Sequence, residues 1–109
     1  MSDPIERLYA AVAARKGAPA GSSRTAKLLA TGTPKIAQKL GEEAVEVAID
    51  AAIGNREGVV LESCDLLYNL AVLWVHLGIT PKEIWAEMTR REAMMGMAEK
   101  LPKPSSPAA

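Results

Sequence analysis

The 109-residue sequence contains no phenylalanine, only two tryptophans and two tyrosines, one cysteine and one histidine. Strands favour aromatic and β-branched side chains, so this scarcity, beside 19 alanines, argues against a sheet protein and predicts an all-α fold. A lone Cys64 excludes an intramolecular disulfide, and neither Cys64 nor His76 has the companions that a zinc site needs. Neither sign of charge is in excess, with 13 basic residues against 13 acidic, which argues against holding nucleic acid on a basic face. No basic segment followed by an apolar stretch marks a secretory signal. The most apolar window, Leu66 to Val75, is short of the roughly 20 residues that cross a bilayer, and it reads as a buried core helix. The expectations are therefore a cytoplasmic protein with no nucleic-acid partner and no membrane association.

What is present is helical periodicity. Asp3-Pro4 opens a first helix bearing Ile5, Leu8, Tyr9 and Val12 at helical spacing, and Gly17, Pro19 and Gly21 break it. Ser22 or Ser23 caps a short second helix with Arg24, Lys27, Leu28 and Leu29, which stops at Gly32. A third runs from Pro34 to about Ile53 through Gly41, and a fourth from about Glu57 to Leu77, with Gly78 just past its end. Thr80-Pro81 begins a fifth that extends towards Met97. The organisation predicted is one all-α domain over residues 1–100, a bundle of about five helices, followed by a disordered proline-rich tail over 101–109.

The chemistry concentrates on the third and fourth helices. At about 100° per residue, Lys35, Lys39, Glu42, Glu43, Glu46 and Asp50 fall within one arc, a pattern that by itself also describes any solvated helix face. The fourth helix is otherwise nearly all apolar, yet it carries Glu62 and Asp65 on one face, with Asn69 one turn on. A carboxylate on a largely buried helix costs several kcal/mol, roughly, unless it is paired, protonated or bound to metal. If the chain reverses at Gly54-Asn55, Glu46 lies level with about residue 63 and Glu43 with about residue 66, so that Glu43-x-x-Glu46 faces Glu62-x-x-Asp65. Converging carboxylates repel and raise one another's pKa unless a divalent cation neutralises them, and an all-oxygen set selects Mg²⁺ or Mn²⁺. Such sites serve phosphate chemistry, which also needs fixed positive charge. Lys35 and Lys39 precede the acids on the same face, and Arg24 and Lys27 sit on the short helix before it.

These residues resemble the phosphoribosyl-ATP pyrophosphohydrolases of histidine biosynthesis, within the all-α (MazG-like) nucleoside triphosphate pyrophosphohydrolase superfamily. The superfamily's EExxE and ExxD motifs stand here as Glu42-Glu43-Ala44-Val45-Glu46 and Glu62-Ser63-Cys64-Asp65. The narrower likeness lies in Ser23-Arg24-Thr25-Ala26-Lys27-Leu28-Leu29, in Gly32 and Lys35 through Gly41, and in Asp65-Leu66-Leu67-Tyr68. The resemblance implies hydrolysis of phosphoribosyl-ATP to phosphoribosyl-AMP and pyrophosphate with Mg²⁺ held by Glu43, Glu46, Glu62 and Asp65. Glu42 would be a further ligand or the base for water. It also implies a homodimer with active sites near the interface. Asn69 departs from the histidine that many members carry there, but remains able to hydrogen-bond a ligand carboxylate or substrate. The alternatives are a house-cleaning pyrophosphohydrolase of another nucleoside triphosphate, and a helical dimerisation module without activity.

Other residues read more simply. His76 shares the stripe of Asp65 and Asn69 but lies about 16 Å along the axis from Asp65. Cys64 reads as a small buried apolar residue, Met88, Met94, Met95 and Met97 as flexible packing, and Trp74 and Trp85 as core or interface anchors. Arg90 and Arg91 complement a helix end, or reach a phosphate from a neighbouring subunit. The fourth helix is apolar nearly all round, and a chain of this length has too few other helices to cover it, so a second copy is expected to do so.

Overall fold

A computed structural model describes residues 3–95, and every regular element among them is helical. Asp3 caps α1 (Pro4–Ala13), its carboxylate accepting the Glu6 amide at 2.8 Å, while Pro4 fills a position whose N–H would have no helical partner. After a 3-10 turn at Ala20–Ser22, Ser23 Oγ accepts the Ala26 amide at 3.0 Å and starts α2 (Arg24–Ala30). α3 (Thr33–Ala52) follows directly, running unbroken through Gly41. Asn55 caps α4 (Arg56–Leu77) by accepting the Gly58 amide at 3.0 Å. Gly78 ends α4 in the left-handed conformation (φ 73°), which a residue with a Cβ rarely adopts. The elements expected from the sequence are thus present with bounds within a residue or two. Met97 and the 101–109 tail lie outside the described residues.

The chain divides between Ile79 and Thr80 into two compact units. In the first, α3 and α4 form an antiparallel pair with the most extensive packing, α1 lies along α4, and α2 touches both α3 and α4. The core is Val12, Ile36, Ala71, Val72 and Val75, surrounded by Leu8, Tyr9, Leu28, Leu29, Tyr68 and Leu73. It draws on the start of α3 and the end of α4, where α1 and α2 are available to cover them. Near the α3–α4 reversal no such cover is present among the described residues of this unit, so apolar residues emerge: Ile36 is 0% exposed, whereas Ile53 is 71% and Leu61 59% exposed. α4 proves long and apolar enough, on length and composition, to cross a membrane, more than its ten-residue apolar window suggested. Its packing in the core and its two mid-helix acids fit a helix shared with protein neighbours instead.

The second unit contains α5 (Pro81–Met95). Thr80 and Glu83 form a reciprocal start, the Glu83 carboxylate accepting the Thr80 amide at 2.7 Å. Glu87 accepts from Arg90 at 2.7 Å and Arg91 at 2.9 Å, and these guanidinium groups hold its carboxyl down at about 2.

Ile36 of α3 and Val72 of α4 are the two fully buried larger side chains of the core. Ile36→Ala should lower the unfolding free energy by about 2–5 kcal/mol, a cavity-forming loss that urea titration at constant m-value would measure.

Candidate active site

The turn between α3 and α4 sets the register on which everything else depends. The Asn55 amide donates to the Asp50 carbonyl at 2.8 Å, and the chain comes back so closely that a Cβ on Gly58 would lie 2.7 Å from the Asp50 carboxyl carbon. A side chain at position 58 would have to push the Asn55 and Asp50 side chains aside. With the register so fixed, Glu43 of α3 meets Glu62 and Asp65 of α4, each presenting one oxygen within 4.8 Å of the others. The facing of Glu43-x-x-Glu46 and Glu62-x-x-Asp65 expected from the sequence is present, with Glu43, Glu62 and Asp65 as a close trio and Glu46 beside Glu62.

The electrostatics of this cluster are strained. Glu43 Oε2 and Glu62 Oε2 are shielded from solvent and receive no hydrogen bond from any described residue. Two carboxylates can bond one another only if one holds a proton, and the pKa values move in that direction. Glu62 is pushed up to about 7 by the hydrogen-bonding approach of the Glu46 and then the Glu43 carboxyl, with desolvation adding to it. Glu43 is raised chiefly by desolvation, with the charges of Glu46 and Asp65 adding to it. A hard cation would satisfy the same oxygens without a proton. The donor set, all carboxylate with orphaned oxygens turned inward, fits Mg²⁺ or Mn²⁺.

The two remaining acids stand differently. Glu46 lies outside the trio but close enough to Glu62 to be the main cause of its raised pKa. Glu42 is exposed, accepts from Gln38 Nε2 at 2.9 Å, and lines a shallow depression with Gly41, Val45 and Glu46. Its place on α3 is about 100° round from Glu43, which explains the separation.

The basic candidates meet in one place. Arg24 and Lys27 of α2 and Lys35 and Lys39 of α3 line a single cleft of about 280 Å³ together with Leu28, Thr31, Tyr68 and Asn69. None of the four cations makes an ion pair among the described residues, so their charge is available to a ligand. Asn69, 6% exposed, joins this cleft to the acids: its Nδ2 donates to the Asp65 carbonyl at 2.8 Å, while its Oδ1 has no described donor. Tyr68 was not among the expected site residues, yet it lines the cleft and its hydroxyl lies 2.7 Å from Thr25 Oγ1. Its position between Asp65 and Asn69 on one helix was the available signal.

The simpler readings fare unevenly. His76 is tied to Thr33 Oγ1 at 2.8 Å, at the start of α3 and away from the acidic trio. Arg90 and Arg91 are both engaged by Glu87 of their own helix. Cys64, expected to be buried, is exposed, because it lies on the side of α4 turned away from α3, with Val60 and Leu67.

The sequence matches the family model described as phosphoribosyl-ATP pyrophosphohydrolase over residues 5–92. It is 56% identical over 103 residues to phosphoribosyl-ATP pyrophosphatase 2 of Rhodopseudomonas palustris, covering 94% of this chain and 79% of that protein. It is 57% identical over 103 residues to the protein of the same name from Bradyrhizobium diazoefficiens, covering 94% and 77%. The phosphoribosyl-ATP pyrophosphatase of Gluconobacter oxydans is 48% identical over 100 residues, covering 92% and 75%. The chain belongs to the phosphoribosyl-ATP pyrophosphohydrolase family. Both the acidic trio and the four-cation cleft fall inside the stretch that matches the phosphoribosyl-ATP pyrophosphohydrolase model.

The raised pKa of Glu62 makes stability pH-dependent when no cation is bound. Between its ordinary value of 4.5 and about 7, the folded state binds more protons than the unfolded one. The contribution is therefore complete below 4.5 and is lost as pH rises through about 7. In EDTA, the melting temperature should fall as pH is raised from about 5 to about 8. Glu62→Gln should flatten that slope, which scanning calorimetry across the range would record.

Proposed function

We infer that this protein hydrolyses phosphoribosyl-ATP to phosphoribosyl-AMP and pyrophosphate, the second step of histidine biosynthesis. The observation that carries the reading is the juxtaposition of an uncompensated acidic trio with a cleft of four unpaired cations. Relatives more than half identical over most of the chain bear the name of that activity. Arg24, Lys27, Lys35 and Lys39 grip the polyphosphate, spreading positive charge over oxygens that gain negative charge as the bond between the α and β phosphates breaks. Glu43, Glu46, Glu62 and Asp65 would hold Mg²⁺, with Mn²⁺ as a substitute. When bound, that cation neutralises the acids and lowers the pKa of a water molecule it carries. A carboxylate of the group, Glu42 or one of the four, accepts the proton as the water oxygen bonds to phosphorus and pyrophosphate leaves. Asn69 fixes the turn of α4 that bears Asp65 and offers its free Oδ1 to the substrate.

The same reading includes a homodimer built from the domain over residues 1–100, in a soluble cytoplasmic enzyme. Val45, Ile49 and Ile53 repeat at i, i+4 and i+8 along α3, more than half exposed, beside Val60 and Leu61 at the start of α4. A second copy laid on this face removes the whole stripe from water and brings a neighbour near Glu42 and Glu46.

Pyrophosphate release from phosphoribosyl-ATP should require Mg²⁺, stop with EDTA, exceed release from ATP, and fall by about two orders of magnitude or more in Glu46→Gln. Equal cleavage of ATP would remove the substrate assignment and keep the chemistry; no cleavage of either would remove both. Light scattering should give twice the 11.6 kDa chain mass, and Ile49→Asp should shift the protein to monomer.

A further inference from the structure

A second cleft, of about 400 Å³, opens beside the first, and Tyr68 lines both. Leu8 and Val12 of α1 supply its apolar wall, Thr25 and Tyr68 another, and Arg15, just past the end of α1, is its one charged residue. Arg15 is exposed and makes no ion pair among the described residues. The 2.7 Å contact between the Tyr68 hydroxyl and Thr25 Oγ1 fixes the phenol between the two spaces. The clefts therefore differ in charge: one is lined by four cations, and the other by a single guanidinium.

This division matches the chemistry of the substrate, and the match rests on the function inferred above. Phosphoribosyl-ATP carries a polyanionic triphosphate on one ribose and a lone 5′-phosphate on a second ribose, joined through the adenine ring. A four-cation cleft binds the triphosphate of ATP and of phosphoribosyl-ATP alike, so it does not distinguish them. Discrimination needs a separate contact to the second phosphate, and a site built to pair with a group rejects analogues that lack it. We propose that the Arg15 cleft is this specificity subsite. Arg15 receives the lone 5′-phosphate on its paired N–H donors, Leu8 and Val12 back the second ribose, and Tyr68 marks the crossing of the base.

The test compares wild type, Arg15→Gln and Arg15→Lys on phosphoribosyl-ATP and on ATP, with ribose 5-phosphate as inhibitor. Arg15 lies outside the core, so these variants should melt as the wild type does. Arg15→Gln should raise KM for phosphoribosyl-ATP by about ten- to a hundredfold, the loss expected for one charge-assisted pair, with kcat nearly unchanged. Arg15→Lys should recover part of it, cleavage of ATP should not change, and inhibition by ribose 5-phosphate should disappear in Arg15→Gln. An unchanged KM in Arg15→Gln, with the wild type active on phosphoribosyl-ATP, would overturn the subsite and leave the function standing. Equal losses on ATP would also overturn it, making Arg15 a general phosphate contact. A wild type that does not cut phosphoribosyl-ATP would sink the function and the subsite with it.

Discussion

Carboxylates pressed together by a helical hairpin are the constraint around which this molecule is arranged. Glu43, Glu62 and Asp65 come within 4.8 Å because α3 and α4 reverse tightly at Gly54-Asn55 and lock in register where Gly58 passes Asp50. Ionised together in a partly dry setting they repel, so the hairpin holds a tension that a proton or a cation must relieve. The raised pKa of Glu62 and the orphaned oxygens of Glu43 and Glu62 are two expressions of that tension. The apolar core at the other end of the hairpin supplies the cohesion that keeps the acids from separating.

Charge that sums to zero over the chain is distributed unevenly within it. Cations gather in the cleft between α2, α3 and α4, while the acids collect one turn further along the same helices. A ligand that bridges the two regions must be anionic at one end and tolerate metal at the other, which describes a polyphosphate. Asn69 links the regions mechanically, because its amide bonds the backbone of Asp65 while its side chain lines the cation cleft. A histidine at that position would offer a titrating ring; asparagine offers a hydrogen bond without a change of charge.

The exposed stripe on α3 and the apolar start of α4 leave an uncovered apolar face at the reversal end of the hairpin, the face on which the proposed second copy would lie. Among the described residues, α1 and α2 cover the end of the α3–α4 hairpin where the core lies. Cys64 is exposed together with Val60 and Leu67, its neighbours at helical spacing on α4.

The helices themselves were legible in the sequence because their limits are local. Caps such as Asp3 and Ser23, and stops such as Gly78, act through hydrogen bonds and backbone angles a few residues away. The pairing of Glu43 with Glu62 and Asp65 was also legible, since one short reversal makes the register a matter of counting. What the sequence could not state is how side chains from separate elements share one space. Glu42 stands apart from Glu43 although the two are adjacent in the chain, and Tyr68 lines two clefts, one of which it shares with Arg15 from a distant part of the chain. Those relations depend on how α1 and α2 settle on the hairpin, which is decided by the packing around Ile36 and Val72. Local periodicity sets which face of a helix is apolar, but only the packed core sets what that face meets.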